Sequence, residues 1–145
     1  MSDSIHVVCP GCQGLNRVPK ERLDGDPKCG RCSDRLFSGI PLALGEAGFR
    51  RHIQRNEIPV LVDFWAPWCG PCKMMAPAFV AAASRLEPTV RLVKIDTEVH
   101  QGLAVEFGIR SIPTLALFKG GKELARVSGA MDAGALVNWV RQNIK

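Results

Sequence analysis

From about Gly39 onward the apolar positions fall into runs whose spacing switches between the two-residue period of a strand and the 3.6-residue period of a helix. Pro41-Leu-Ala-Leu44 predicts a short strand, and Glu46 to Asn56 a helix with Phe49 and Ile53 on its inner side. Val60-Leu-Val-Asp-Phe-Trp65 is apolar at almost every position and rich in β-branched and aromatic residues, the pattern of a strand covered on both faces. The Ala-rich stretch from Cys69 to about Leu86 predicts a long helix, kinked at Pro77 because proline has no N–H for the helical ladder. A strand at Val90 to Ile95, a helix at about Val99 to Phe107 stopped by Gly108, and a strand at Thr114 to Phe118 follow. Gly120-Gly121 predicts a two-residue hairpin turn into a strand at Glu123 to Ser128. The last helix begins at about Asp132 and carries Leu136, Trp139, Val140 and Ile144 on one face. This order, β-α-β-α-β-α-β-β-α, predicts an α/β fold with a mixed sheet and helices on both faces.

Residues 1–38 follow a different rule. They are rich in Gly, Pro and charge and poor in large apolar side chains, so burial alone cannot hold them together, and a segment this short needs a staple. The spacing Cys9-x2-Cys12-x16-Cys29-x2-Cys32 supplies one, since two such pairs separated by about 15–20 residues form a zinc pattern. Cys9-Pro-Gly-Cys12 and Cys29-Gly-Arg-Cys32 each predict a tight turn that aims two sulfurs at one centre. Four thiolates complete a tetrahedral shell and leave no open position, so the expected Zn2+, one per chain, is structural rather than catalytic. Arg17, Lys28, Arg31 and Arg35 are placed to screen the thiolate charge, and His6 is read as a surface residue. The division expected is therefore a four-cysteine zinc-binding module over residues 1–38 and a second domain over 39–145.

Composition narrows the classes. The chain is 46% hydrophobic and 23% charged, which is ordinary for a globular protein. No apolar run approaches the ~18 residues of a membrane helix, and Met1 to Cys9 has neither a basic nor an apolar leader region, so a cytoplasmic, membrane-free monomer is the expectation. A reducing compartment favours metal-binding or catalytic thiols over structural disulfides for the six cysteines. The net charge of +5 is spread thinly. Its densest patch, Arg50-Arg51-His52-Ile53-Gln54-Arg55, is read as a solvated helix face, and no nucleic-acid partner is expected.

A third Cys-x-x-Cys pair, Cys69 and Cys72, stands where a strand turns into a helix, and this context points to redox chemistry. Unpaired N–H groups and the helix dipole favour an anion at the helix start, so Cys69 is the candidate nucleophile with a lowered pKa. Cys72, one turn on, is close enough for a disulfide with Cys69 and is the candidate resolving thiol. Pro71 suits the first turn of a helix and Gly70 lets a partner backbone approach. Asp63 is a carboxylate within an apolar strand. Buried, it would have a raised pKa and could take the proton of Cys72; turned outward at a sheet edge, it would do nothing, and the sequence leaves both open. Lys94 is its candidate charge partner or, alternatively, a solvated lysine. Trp65 is expected inside and Trp68 exposed beside Cys69. Base rates for X-Pro bonds make Ile112-Pro113 trans.

Phe64-Trp-Ala-Pro-Trp-Cys-Gly-Pro-Cys-Lys73, with Val62-Asp63 upstream and Lys94-Ile-Asp96 and Arg110-Ser-Ile-Pro-Thr114 downstream, resembles thioredoxin over residues 39–145. The preceding four-cysteine segment is similar to that of the zinc-bearing second bacterial thioredoxin type. The resemblance implies a thioredoxin fold and a cytoplasmic protein-disulfide reductase whose Cys69–Cys72 disulfide is recycled by thioredoxin reductase, an NADPH-dependent flavoenzyme. It implies a cis bond at Ile112-Pro113, against the base rate, and a substrate groove formed by Trp68, Gly70, Pro71, Ile112, Pro113 and Gly129, with disulfide-containing proteins as substrates. It also implies that Asp63 lies buried beside Cys72 with Lys94 as neighbour. Ala66-Pro67 and the zinc module depart from the ordinary family pattern. Two other classes remain in play: a zinc-dependent docking platform, and a disulfide oxidase or isomerase.

Overall fold

A computed structural model of the chain describes residues 3–144. Two sheets form. The smaller is an antiparallel hairpin of β1 (Ser4–Val8) and β2 (Leu15–Pro19), followed by a 3-10 turn at Lys20–Arg22. The larger has five strands, β3 (Leu42–Ala43), β4 (Val60–Trp65), β5 (Arg91–Asp96), β6 (Thr114–Lys119) and β7 (Lys122–Ser128). Their spatial order is β3-β5-β4-β6-β7. β3, β5 and β4 run parallel, β6 is antiparallel to β4, and β7 returns antiparallel to β6. The helices are α1 (Glu46–Arg55), α2 (Gly70–Leu86), α3 (Gln101–Glu106) and α4 (Ala133–Asn143).

Alternation along β4 decides which helix covers which side chain. Val60, Val62 and Phe64 point to one face, where they pack with Phe49 and Ile53 of α1 and Leu103 of α3. Leu61 points to the other, beneath Met75, Phe79 and Ala82 of α2 and Leu136 and Val140 of α4. The first face is filled by aromatic rings meeting edge to face, Phe49 against Phe107 at 5.3 Å between centroids and against Phe64 and Phe118 at 6.1 Å. Gly120 and Gly121 both take positive φ (61° and 82°), as a two-residue turn matched to strand twist requires. Asp132 caps α4, its side chain accepting from the Ala135 N–H at 2.8 Å.

The element order from β3 to α4 is the one the hydrophobic pattern predicts, with ends shifted by one or two residues. Three features depart from what the residue pattern alone suggests. The hairpin β1–β2 has too few large apolar residues to announce itself, yet Val7 and Val18 are buried because they close over Cys9, Cys29, Leu36 and Phe37. The Ile112-Pro113 bond is cis, as the family resemblance implies and against the base rate, and Glu87-Pro88 is cis as well. The basic patch of α1 is not one solvated face: His52 is fully buried, Arg51 donates to the Gln13 carbonyl at 2.6 Å, and Arg50 pairs with Glu106.

The hairpin segment is fastened to the ends at which β4 and β5 begin. Val8 N–H donates to Asn56 Oδ1 at 2.8 Å, Glu57 N–H donates to the His6 carbonyl at 3.0 Å, and the His6 N–H donates to Glu57 Oε1 at 2.6 Å. Asn56 is itself steadied by His52, 2.8 Å away. Burial and the nearby Arg91 charge keep His52 neutral, its pKa lowered to about 3. Cys69 follows the opposite end of β4, and six strand residues rise about 16 Å, so the two cysteine sites occupy opposite ends of the sheet.

Candidate functional site

Cys69 is the N-cap of α2. Its sulfur accepts the Cys72 N–H at 3.2 Å, one of the N–H groups that a helix start leaves without a helical partner. Pro71 sits in the first turn, where its missing N–H costs nothing. Cys69 and Cys72 form a disulfide, with Cα atoms 5.2 Å apart. Both are almost fully buried, in a small cluster with Ala66 against Trp65 and Ile112. When the pair is reduced, the same N–H donor and helix end favour negative charge on Cys69 Sγ.

The cis Ile112-Pro113 peptide faces this pair. The Ile112 carbonyl oxygen is 3.7 Å from Cys69 Sγ. Gly129 takes φ of +105° and donates its N–H to the Pro113 carbonyl at 2.9 Å. The Gly129 carbonyl and the main chain of Ile112 have no backbone partner among the described residues. Trp68 is 68% exposed and its indole N–H donates to Glu98 at 2.7 Å, while Gly70 is also open to solvent. These groups form one rim around the disulfide.

Asp63 does not lie at an edge. It is 1% exposed in the central strand, with no hydrogen-bond partner on Oδ1. Strand parity puts it on the same face as Leu61, the face covered by the helix that carries Cys72. Lys94 is its neighbour in register on β5, and its ammonium lies over the Trp65 ring at 4.4 Å from the centroid. Desolvation pushes the Asp63 carboxyl up to about 7, only partly opposed by the Lys94 charge.

The other four cysteines come together at the tip of the hairpin. Their sulfurs all lie within 4.8 Å of one another, with Cys9–Cys32 and Cys12–Cys29 both at 3.6 Å. A tetrahedron of 2.3 Å zinc–sulfur bonds has edges of about 3.8 Å, so the set fits that shell. The two halves repeat one another. Gln13 N–H closes on the Cys9 carbonyl and Ser33 N–H on the Cys29 carbonyl, each through a residue at positive φ (64° and 69°). Gly11 N–H donates to Cys9 Sγ at 3.3 Å and Arg31 N–H to Cys29 Sγ at 3.4 Å. The Asn16 amide adds a further donor to Cys29 at 3.4 Å. It is the largest cause lowering the Cys29 pKa to about 6, followed by the N–H groups of Cys32 and Arg31. N–H groups aimed at sulfur suit thiolates bound to a cation, and this donor set is compatible with zinc. Of the cations read as screening the cluster, Arg35 is instead paired with Asp26 at 2.9 Å.

One functional-looking group was not singled out from the sequence. Arg91 is fully buried at the start of β5, bonded to Glu87 at 3.3 Å and to the Val8 carbonyl at 3.0 Å, with Phe37 stacked at 4.7 Å. An arginine opening a strand gives no sign of burial; only its spacing of four from Glu87 hints at the pair.

A five-stranded mixed sheet between helix pairs, with a dithiol capping the helix after the central strand and a cis-proline facing it, defines a thiol–disulfide oxidoreductase of thioredoxin fold. Comparisons with known proteins agree. The thioredoxin family model matches residues 41–142, and a model for the N-terminal region of thioredoxin 2 matches residues 8–34. The chain is 45% identical to thioredoxin C-3 of Corynebacterium nephridii, over 96% of its own length and 95% of that protein. It is 41% identical to thioredoxin 1 of Synechococcus elongatus, over 72% of its length and 98% of that protein. Among solved structures, a mutant thioredoxin from Halobacterium salinarum superposes with a TM-score of 0.67 at 33% identity, covering 75% of this chain and 95% of that one. The chain belongs to the thioredoxin family.

Proposed function

We propose that the protein is a cytoplasmic protein-disulfide reductase, recycled by thioredoxin reductase, and that Cys69, Cys72, Asp63 and Lys94 carry the chemistry. The observation that carries this reading is the joint placement of a helix-capping Cys69 and a buried carboxyl poised near neutral pH on the face of the sheet that α2 covers. A substrate segment lies extended along Trp68, Gly70 and Pro71 and the cis-Pro113 rim, using the Ile112 main chain and the Gly129 carbonyl, a mode tolerant of sequence. The Cys69 thiolate attacks one sulfur of the substrate disulfide; that S–S bond breaks, a mixed disulfide forms, and the other substrate sulfur leaves as a thiolate. Asp63 takes the proton of Cys72, directly or through a water, and Lys94 moderates the buried charge. Cys72 then attacks Cys69 Sγ and expels the second substrate thiolate. Two electrons have passed to the substrate, and the Cys69–Cys72 disulfide awaits two from the reductase.

In the same reading residues 1–38 are a zinc module and 39–145 the redox domain. Cys9, Cys12, Cys29 and Cys32 would hold one Zn2+, which cross-links the hairpin when bound. Four cysteines gathered on a metal rather than paired in disulfides are at home in a reducing compartment, which supports the cytoplasm. The chain acts as a monomer, and no nucleic acid or membrane takes part; no helix among the described residues is long and apolar enough to cross a bilayer.

The test is reduction of a protein disulfide with NADPH and thioredoxin reductase by wild type, Cys69→Ser and Cys72→Ser. Wild type should turn over, Cys69→Ser should be inactive, and Cys72→Ser should stop after forming a mixed disulfide. Full turnover by Cys69→Ser would defeat the reading.

A further inference from the structure

A groove of about 450 Å³ opens where the start of α2 faces the segment that links β7 to α4. Met74, Met75 and Met131 line it, with Pro77, Ala78 and Ala130 between them. Its location has two markers. Met74 is the second residue after Cys72 and is 80% exposed, although nothing in the fold requires a large apolar side chain there. Ala130 follows Gly129, whose carbonyl has no backbone partner among the described residues. The groove is therefore continuous with the rim along which a substrate backbone is taken up. Asp132, the acid at its edge, is committed to capping α4 through the Ala135 N–H. Lys73, the cation nearest in sequence, is exposed, and no charged side chain other than Asp132 lines the groove among the described residues.

We infer that this methionine-lined groove is a side-chain subsite, and that it selects disulfide substrates carrying an unbranched or γ-branched apolar residue, leucine or methionine, close to the attacked cysteine. This deepens the proposed function and rests on it. Backbone pairing along the rim takes any sequence, whereas side chains of an extended segment alternate sides, so one of the residues beside the attacked cysteine turns toward Met74. Thioethers are polarizable and change rotamer readily, which lets one groove accept apolar side chains of different shape. A charged or small polar side chain gains nothing there and, if charged, loses hydration. The groove thus adds discrimination to a contact surface that otherwise has none.

The experiment uses the full chain with thioredoxin reductase and a set of synthetic disulfide peptides. The peptides differ only in carrying leucine, methionine, serine or aspartate at the positions one and two residues from the attacked cysteine. Wild type should reduce the best leucine or methionine peptide about five- to tenfold faster in kcat/KM than the serine peptide, the effect of burying part of one apolar side chain. Met74→Ser should cut that ratio to within about twofold of unity, and Met74→Leu should restore most of it. Because Met74 is solvent-facing, neither change threatens folding. Equal rates for all peptides in wild type, or a Met74→Ser variant slowed on every peptide alike, would overturn the subsite while leaving the reductase intact. Failure of wild type to reduce any peptide, serine included, would overturn the proposed function and the subsite with it.

Discussion

The buried guanidinium of Arg91 donates to the main-chain carbonyl of Val8 at 3.0 Å, tying the start of β5 to the residue just before the first cysteine of the four-sulfur cluster. Glu87, one helical turn back in sequence, pairs with Arg91 and also accepts the Gly39 N–H at 2.7 Å, so both ends of the N-terminal segment are held by one ion pair. The N-terminal segment and the five-stranded sheet are bound together at this point.

Breaking that pair should be costly. Arg91→Met removes the cation and leaves Glu87 buried without its charge partner and Val8 without its donor, a loss of about 3–5 kcal/mol. The double variant Glu87→Gln/Arg91→Met should recover part of it, because no buried charge remains. Urea unfolding of wild type, both single variants and the double variant measures the coupling. A loss below about 1 kcal/mol for Arg91→Met would mean that water reaches the pair.

The cluster predicts a metal-dependent stability. As purified under reducing conditions the chain should carry one zinc, and Cys29→Ser/Cys32→Ser should carry none. The hairpin then loses its cross-link and the Val8 contact loosens, so unfolding should come about 5–10 °C lower. Metal content by a chromophoric chelator and a thermal melt on the same samples check both halves.

The aromatic face gives a prediction about packing alone. Phe49 is fully buried and touches Phe64, Phe107 and Phe118 edge to face. The three rings come from β4, β6 and the end of α3, so they cannot collapse together into the space left behind. Phe49→Ala should cost about 3–5 kcal/mol, read from the shift of the denaturation midpoint, while Phe49→Leu should cost less than half as much.

Much of this architecture is legible in the residue pattern, and the gaps have physical causes. The run Val60 to Trp65 announces a strand covered on both faces, and Cys69 one short turn later announces the helix it caps. Asp63 stands out because a carboxylate interrupts that run. What the run does not tell is the face: only register with Leu61 and with Lys94 across to β5 puts the carboxyl under α2 rather than α1. Arg91 and His52 escaped because long polar residues at an element's end are usually solvated. Here the N-terminal hairpin covers that end, and a cover supplied by residues distant in sequence leaves no local trace. The hairpin escaped because its buried apolar residues, Val7, Val18, Leu36 and Phe37, are few and scattered along the segment.

Asp63 provides the sharpest test, because its titration links stability to pH. Folded, the carboxyl is raised to about 7 by desolvation, whereas in the unfolded chain it titrates near 4. Below about pH 4 both states hold the proton and burial adds no ionisation cost. As pH rises the unfolded state releases its proton first, so the stability this group contributes falls steadily and is fully lost once pH passes the folded value near 7. Asp63→Asn cannot ionise and should match wild type near pH 4 yet exceed it by about 2–4 kcal/mol at pH 8. The same change removes the proton acceptor proposed for Cys72. Resolution of the mixed disulfide, followed in single turnover, should therefore slow by at least about tenfold and lose its inflection near neutral pH. A variant less stable than wild type at pH 8 would mean that Asp63 is held ionised by Lys94, and that the lysine, not the proton, is what the buried carboxylate is there to meet.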